Sequence, residues 1–215
     1  MLPPKISEVC SLGVNETSNA VSVGFMMIDS EISDIEIHLS QIRVTKMSYE
    51  EADKYLHENT SLSFLNEIAK NHRKFRDRNG AIRLDLPKTD IKVKDKKVLV
   101  SPQLESESRE MVSELMVLAG RAIAHYSIEN KISMPYLSQA PGKFSEEIIG
   151  NIHNLSLSKA FEAAKGFSRS KLSVEPSIHA GLGLEAYIRV TSPMRRYLDL
   201  IVQSNLFITY QALSF

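Results

Sequence analysis

Two consecutive arginines, Arg195 and Arg196, follow the tripeptide Thr191-Ser192-Pro193 near the C-terminal end of this 215-residue sequence. Serine followed by proline is typical of a helix start, because serine caps free N–H groups and proline at the first helical position loses no hydrogen bond. The positive end of a helix dipole disfavours two cations unless an anion completes the site. Backbone N–H groups, the dipole and a guanidinium fork would together bind a phosphate.

The same residues have a second interpretation, which is a strand–turn–helix corner with two solvated arginines. Gly181 and Gly183 open this stretch, and a run of strand-forming residues from Ala186 to Val190 precedes the corner. The physical chemistry of the corner alone leaves both interpretations open.

A second group of cations lies in the last turns of a predicted helix. Six side chains there are basic or become so on protonation: Lys70, His72, Arg73, Lys74, Arg76 and Arg78. Cations are favoured at a helix C-terminus because the dipole is negative there, which accounts for two or three of them. Contact with an RNA backbone is the alternative explanation for the excess.

The overall composition limits where a nucleic acid could bind. Lysine plus arginine and aspartate plus glutamate both total 26, so any such binding requires a local patch. A single cysteine, Cys10, excludes an internal disulfide and is typical of a reducing compartment. The histidines lack metal-ligand spacing. Because the sequence has no signal-peptide pattern and no apolar run of membrane length, we expect a cytoplasmic protein with no membrane partner.

The spacing of apolar residues predicts the elements that would position these groups. Apolar residues alternate from Val21 to Met27, from Ile35 to Leu39 and from Ile42 to Val44, which predicts an antiparallel meander with one wet face. Residues 1–19 are predicted to be irregular, and Asp29 to Glu31 is predicted to be a turn.

Helices are predicted after this meander. The sequence Ser48-Tyr49-Glu50-Glu51 is a capping box that should start a helix ending near Leu56. Apolar residues three and four apart predict a second helix that ends near Asn79-Gly80. The remaining sequence predicts a strand over 82–86, a hairpin of 91–93 with 98–100, helices of about 105–130, 145–152 and 156–164, and a last helix from Pro193. These elements make an α+β fold, with several helices packed over an antiparallel or mixed β-sheet.

The motif around the two arginines resembles a known family signature. The string Thr191-Ser192-Pro193-Met194-Arg195-Arg196-Tyr197-x-Asp199, preceded by Glu185-Ala186-Tyr187, closely resembles the catalytic RNB domain of the ribonuclease II / ribonuclease R family of hydrolytic 3′→5′ exoribonucleases. Four further stretches are similar to that domain: 1–12, 49–52, 80–87 and 112–116. The resemblance identifies residues 1–215 as the middle and C-terminal parts of the catalytic domain, without the flanking RNA-binding OB-fold barrels.

The resemblance also implies a metal that this sequence lacks the ligands to bind. Family members bind Mg²⁺ through four aspartates in the pattern Asp, five residues, then Asp-x-Asp-Asp, which lies upstream of the stretch that Met1 begins. No two of the eight aspartates here are adjacent or one residue apart. Since Mg²⁺ catalysis requires clustered hard oxygen ligands, we expect no metal to be bound by this chain alone and little or no nuclease activity.

The resemblance implies a role for several individual residues. Arg195 matches the arginine that the family places against the scissile phosphate, where it would stabilise developing negative charge. Arg196 would pair with an acidic neighbour or a more distant phosphate, with Thr191 and Ser192 beside it at the RNA. Tyr49 matches a tyrosine near the 3′-terminal nucleotide, and a core tyrosine is the alternative.

Two positions depart from the family pattern. Ser113 stands where the family often has a glutamate that contacts the RNA end, and Leu84 is the nearest counterpart of an aromatic residue that stacks on bases. These departures leave open how the RNA end would be recognised.

The sequence therefore predicts the RNA-binding and phosphate-positioning part of a 3′→5′ exoribonuclease that acts on single-stranded RNA 3′ ends. Besides Arg195, the predicted RNA contacts are Tyr49, Arg73, Lys74, Arg76, Arg78, Thr191, Ser192 and Arg196. One alternative is a non-catalytic RNA-binding or subunit-type protein that pairs with a chain carrying the metal site. Another is the remnant of a broken exoribonuclease gene.

Overall fold

The computed structural model describes residues 2–84, 89–94, 96–102, 105–145, 148 and 155–213. The helices are α1 (Pro4–Cys10), α2 (Tyr49–Tyr55), α3 (Thr60–Arg78), α4 (Glu107–Glu129), α5 (Leu157–Gly166), a 3₁₀ turn (Ala180–Leu182) and α6 (Tyr197–Leu213). The strands are β1 (Ser18–Ile28), β2 (Glu31–Ile42), β3 (Thr89–Lys94), β4 (Lys97–Pro102), β5 (Tyr136–Ser138) and β6 (Lys171–Ser173). The α+β class predicted from the sequence is confirmed.

The described strands form three two-stranded antiparallel pairs, β1 with β2, β3 with β4 and β5 with β6. The longest pair runs from Ser18 opposite Ile42 to Ile28 opposite Glu31. Its turn at Asp29 and Ser30 is where it was predicted, and both residues have positive φ angles, 48° and 71°. The predicted third strand of the meander is wrong, because β2 itself extends to Ile42 and the chain is irregular beyond it.

Helix α4 lies at the centre of the packing. Buried side chains along it include Leu118, Ala122 and Ile123, and it packs against α2, α3 and the β1–β2 pair. The largest buried cluster joins α4 to α6, β2 and the segment 186–190. Since these elements all contact one helix, α4 determines where the ends of α3 and α6 lie relative to each other. None of the described helices is both long and apolar enough to cross a bilayer.

Several sequence predictions agree with these elements. The capping box at Ser48 is present with both of its hydrogen bonds, and α3 ends at Arg78 with Asn79 as its C-cap, close to the predicted end. The hairpin of β3 with β4, the long helix α4 and the helix at 157–166 were also predicted. These elements are determined by local periodicity and capping, which the sequence carries directly.

Other predictions differ from the structure. Residues 4–10 were predicted to be irregular but form α1. Pro4 occupies the first helical position, where its missing N–H costs no hydrogen bond and its fixed φ angle suits a helix. The run from Ala186 to Val190 alternates in burial as a strand would, but in the described chain it makes a single bridge, Ile188 to Tyr136. Residues 82–84 have no regular structure, and the rest of that predicted strand lies outside the described residues. Most of the helix predicted over 145–152 also lies outside them.

Gly183 lies where the 3₁₀ turn meets the end of α3, and its conformation requires glycine. Its φ is +63°, and a Cβ there would lie 2.5 Å from the carbonyl oxygen of Arg76. We expect Gly183→Ala to lower the free energy of unfolding by about 2 kcal/mol, because both the backbone conformation and the close contact become strained. Urea unfolding would measure this loss. Gly24→Ala is the matched control, since a Cβ there meets nothing within 4 Å, and an equal loss in both variants would contradict the prediction.

Candidate phosphate-binding site

The two arginines of the C-terminal motif lie on a tight turn immediately before α6. The backbone N–H groups of Arg195 and Arg196 both donate to the carbonyl oxygen of Ser192, at 3.3 and 3.0 Å, and the N–H of Leu200 donates to the carbonyl of Arg196 at 3.2 Å. The predicted helix start at Pro193 is therefore wrong, because α6 begins at Tyr197. The two arginines precede the helix rather than occupying its first turn.

A buried carboxylate explains why the helix starts later. Asp199, in the first turn of α6, is completely buried, and its Oδ2 accepts a hydrogen bond from the backbone N–H of Ser192 at 2.8 Å. The same oxygen lies 2.9 Å from Nη2 of Arg196. Asp199 thus connects the first and last residues of the turn.

Arg195 and Arg196 have different surroundings as a result. Arg196 pairs with Asp199 and also donates to Oγ1 of Thr191 at 3.3 Å. Arg195 is exposed, and its Nη2 donates to Oγ of Ser192 at 3.3 Å. Within the described part of the chain Arg195 has no carboxylate partner. Of the two sequence interpretations of Arg196, the structure shows the pairing with an acidic neighbour.

The N-terminal segment contacts this turn from the outside. The backbone N–H of Leu2 donates to the carbonyl oxygen of Met194 at 3.1 Å, and Oγ of Ser11 lies 3.8 Å from the sulfur of Met194. Leu2 therefore lies against the turn that carries Arg195.

Three of the cations on α3 have carboxylate partners on α4. Lys70 contacts Glu107, and Arg73 lies 3.0 Å from Glu110. Arg76 forms a fork with Glu114, from Nε to Oε1 at 2.8 Å and from Nη2 to Oε2 at 2.7 Å. These acids and cations both recur every three or four residues, so the sequence carried a signal for two helices joined by ion pairs. The RNA contacts predicted for Arg73 and Arg76 must compete with these internal partners.

The innermost of these pairs includes a buried histidine. His72 is fully buried, and its Nδ1 lies 2.7 Å from Oε1 of Glu114. Burial alone would raise the pKa of Glu114, but hydrogen bonds from His72 and Arg76 and the charge of Arg76 outweigh burial and lower the pKa to about 2. Burial lowers the pKa of His72, although the hydrogen bond and the charge of Glu114 act in the opposite direction.

The other two cations of α3 face solvent. Lys74 and Arg78 are exposed and line a surface groove of about 680 Å³ together with Phe25 and Phe64. Asp29 and Glu67 also line it, so the groove carries both signs of charge. Among the described residues neither Lys74 nor Arg78 forms an ion pair, so these two remain available for an anion.

Tyr49 lies at the start of α2 and is half-buried. The Arg109 guanidinium lies 4.3 Å from the centre of its ring. Ser108 connects α2 to α4 by donating its N–H to Asp53 at 2.8 Å and its hydroxyl to the carbonyl of Tyr49 at 3.1 Å. Arg109 is not predicted from the sequence, because no local pattern connects two residues that are 60 positions apart.

The described residues do not provide a magnesium site. No group of three or more histidine, cysteine, aspartate or glutamate side chains lies close enough among them to bind a metal ion. Mg²⁺ requires several oxygen ligands in one place, so the acids described here do not fit it and no catalytic step through a metal is assigned to them.

Comparison with known proteins agrees with this motif. A model of the RNB domain family matches residues 1–210. An uncharacterized ribonuclease of Synechocystis is 31% identical over 94% of this chain and 31% of its own length. The chloroplastic/mitochondrial ribonuclease II of Arabidopsis thaliana is 32% identical over 93% of this chain and 26% of its own length. The chain thus spans about a third or less of these relatives.

The fold is similar to that of a solved ribonuclease. Mycoplasma genitalium RNase R, solved in complex with ribose-methylated single-stranded RNA, superimposes with a TM-score of 0.82 at 20% identity. The similarity covers 96% of this chain and 39% of that one. At this identity the superposition shows a shared fold.

The buried Glu114 pair generates a pH-dependence prediction. We expect Glu114→Gln to lower the free energy of unfolding by about 3 kcal/mol at pH 7, because Arg76 and His72 lose a charged acceptor. The folded pKa of Glu114 lies below its ordinary value of 4.5, so its stabilisation is complete above that pH and is lost as the pH falls toward about 2. In urea unfolding across this range the variant should lose less stability than the wild type. Glu58→Gln is the exposed control, and identical acid profiles for wild type and Glu114→Gln would rule the prediction out.

Proposed function

Because the chain belongs to the RNB domain family, we propose that it is the RNA-binding and phosphate-positioning part of a 3′→5′ exoribonuclease of the ribonuclease II/R type. The observation that carries this proposal is the exposed Arg195 guanidinium on a turn whose neighbouring charges are already paired. A planar guanidinium with free donors suits bidentate binding of a phosphate.

The electrostatics of the turn favour an anion at Arg195. Arg196 and Asp199 neutralise each other, so Arg195 contributes the remaining positive charge. Arg195 also lies just before the N-terminus of the 17-residue helix α6, where the helix dipole adds to the attraction. A phosphate bound there would replace the water around Arg195 without breaking an ion pair within the described residues.

The proposed RNA path extends to the exposed cations of α3. Lys74 and Arg78 are the α3 cations best suited to phosphate contact, while Arg73 and Arg76 contribute only if RNA competes with their α4 partners. Tyr49 is proposed near the 3′-terminal nucleotide, with Arg109 against its ring. Single-stranded nucleic acid is bound by such combinations of cations and aromatic rings.

We propose that the catalytic Mg²⁺ ions belong to an aspartate cluster on polypeptide preceding Leu2 or on a partner chain. The contact between Leu2 and Met194 supports this arrangement, because such polypeptide would emerge beside Arg195. In the assembled site Arg195 would stabilise negative charge on the phosphate that is cleaved. The single Cys10, which is exposed, supports a reducing compartment such as the cytoplasm.

The first test is the salt dependence of RNA affinity. We expect the chain to bind a short single-stranded RNA with an affinity that falls as salt rises, because binding releases counterions from phosphates. Arg195→Ala should weaken binding and reduce the slope of log K against log salt by about 1. Fluorescence anisotropy at several salt concentrations measures both quantities. Arg169→Ala removes another exposed arginine as the control, and an equal effect of the two substitutions would refute a specific role for Arg195.

The second test concerns cleavage. We expect the purified 215-residue chain to leave 5′-labelled RNA intact in a buffer that contains Mg²⁺, since its described acids form no metal site. Addition of a polypeptide that carries the aspartate cluster should produce stepwise shortening from the 3′ end. Stepwise degradation by the chain alone would overturn the proposed division of roles. RNA binding that no such polypeptide converts into cleavage would instead favour a non-catalytic RNA-binding protein.

A further inference from the structure

We infer that Asp199 is a positioning residue for Arg195, and that its buried carboxylate sets the geometry in which Arg195 meets a phosphate. The inference rests on the proposed function, since it concerns how the phosphate-binding guanidinium is presented. It assigns a role to a residue that contacts neither solvent nor the proposed RNA.

The burial of Asp199 requires strong partners. A buried carboxylate is costly unless charged groups and hydrogen-bond donors compensate it. Oδ2 of Asp199 has two such donors, the Ser192 N–H at 2.8 Å and Nη2 of Arg196 at 2.9 Å. Oδ1 is buried without a partner among the described residues, so Oδ2 makes both of these contacts.

These contacts connect Asp199 to Arg195 through Ser192. The carbonyl oxygen of Ser192 accepts from the backbone N–H of Arg195 at 3.3 Å, and its hydroxyl accepts from Nη2 of Arg195 at 3.3 Å. Ser192 therefore contacts Arg195 at both its backbone and its guanidinium, while Asp199 binds the N–H of Ser192. Movement of Ser192 would displace both ends of the Arg195 side chain.

Arg196 has a complementary part in this arrangement. Its guanidinium neutralises Asp199, and 32% of the Arg196 side chain as a whole is exposed. Without Arg196, the negative charge of Asp199 would compete with a phosphate for the neighbouring Arg195. The two arginines thus have separate tasks, one toward the protein and one toward the RNA.

A double-mutant cycle tests whether Asp199 acts through Arg195. The proteins are wild type, Asp199→Asn, Arg195→Ala and the double variant, each titrated with the same single-stranded RNA. We expect Asp199→Asn to weaken binding about tenfold, as expected for loss of a charge-assisted contact. In the Arg195→Ala background the same substitution should change affinity less than twofold. Equal losses in both backgrounds, or no loss in either, would overturn the inference.

Two further variants separate positioning from a general loss of stability. Ser192→Ala removes the hydroxyl that Arg195 contacts and keeps the N–H that Asp199 binds, so it should weaken binding in the wild-type background alone. If Asp199→Asn does not fold, an unchanged affinity in Ser192→Ala would overturn the inference, because the link from Asp199 to Arg195 runs through Ser192. Ser127→Ala deletes a fully buried hydroxyl elsewhere, on α4; it should lower the unfolding midpoint and leave RNA affinity unchanged. If Arg195→Ala itself does not weaken RNA binding, the proposed function fails. If Arg195→Ala weakens RNA binding and Asp199→Asn causes an equal further loss of affinity in the Arg195→Ala background, only this inference fails.

Discussion

A buried carboxylate in the first turn of α6 determines the geometry of the candidate site. Asp199 has to be neutralised where it is buried, and the residues that can reach it are Arg196 and the backbone of Ser192. Satisfying Asp199 delays the helix start to Tyr197 and leaves Arg195 exposed. One electrostatic requirement thus makes two adjacent and chemically identical side chains different, because Arg196 is paired within the fold and Arg195 is exposed.

The need to neutralise a buried carboxylate also determines how α3 packs against α4. Glu114 is buried between His72 and Arg76, and Arg76 also donates to the carbonyl oxygen of Leu182 at 3.2 Å. That last contact joins the end of α3 to the 3₁₀ turn, where Gly183 permits the close approach. The ion-pair network therefore aligns α3 with the segment that leads to the arginine turn. A patch that looks strongly basic in sequence is mostly compensated within the fold.

The shared fold covers one part of the length of the related ribonucleases. It matches the RNB domain over residues 1–210 and spans about a third or less of the relatives described above. The described residues provide a positioned guanidinium but no cluster of metal-binding acids. Leu2 also lies against the arginine turn, which places the first described residue next to the exposed guanidinium-bearing segment.

The sequence by itself determined the elements that depend on neighbouring residues, namely the capped helix α2, the helices α3 and α4 and the two longer hairpins. It also determined the family, because the motif from Thr191 to Asp199 is a contiguous string. Only the tertiary structure decided which cations of α3 form ion pairs, since their carboxylate partners lie on α4, some 40 residues away. It likewise placed Arg109 on Tyr49 and buried Asp199. Local periodicity places charges along one face of a helix but does not identify which distant residue pairs with each of them, whereas burial makes the pairing of a charge obligatory.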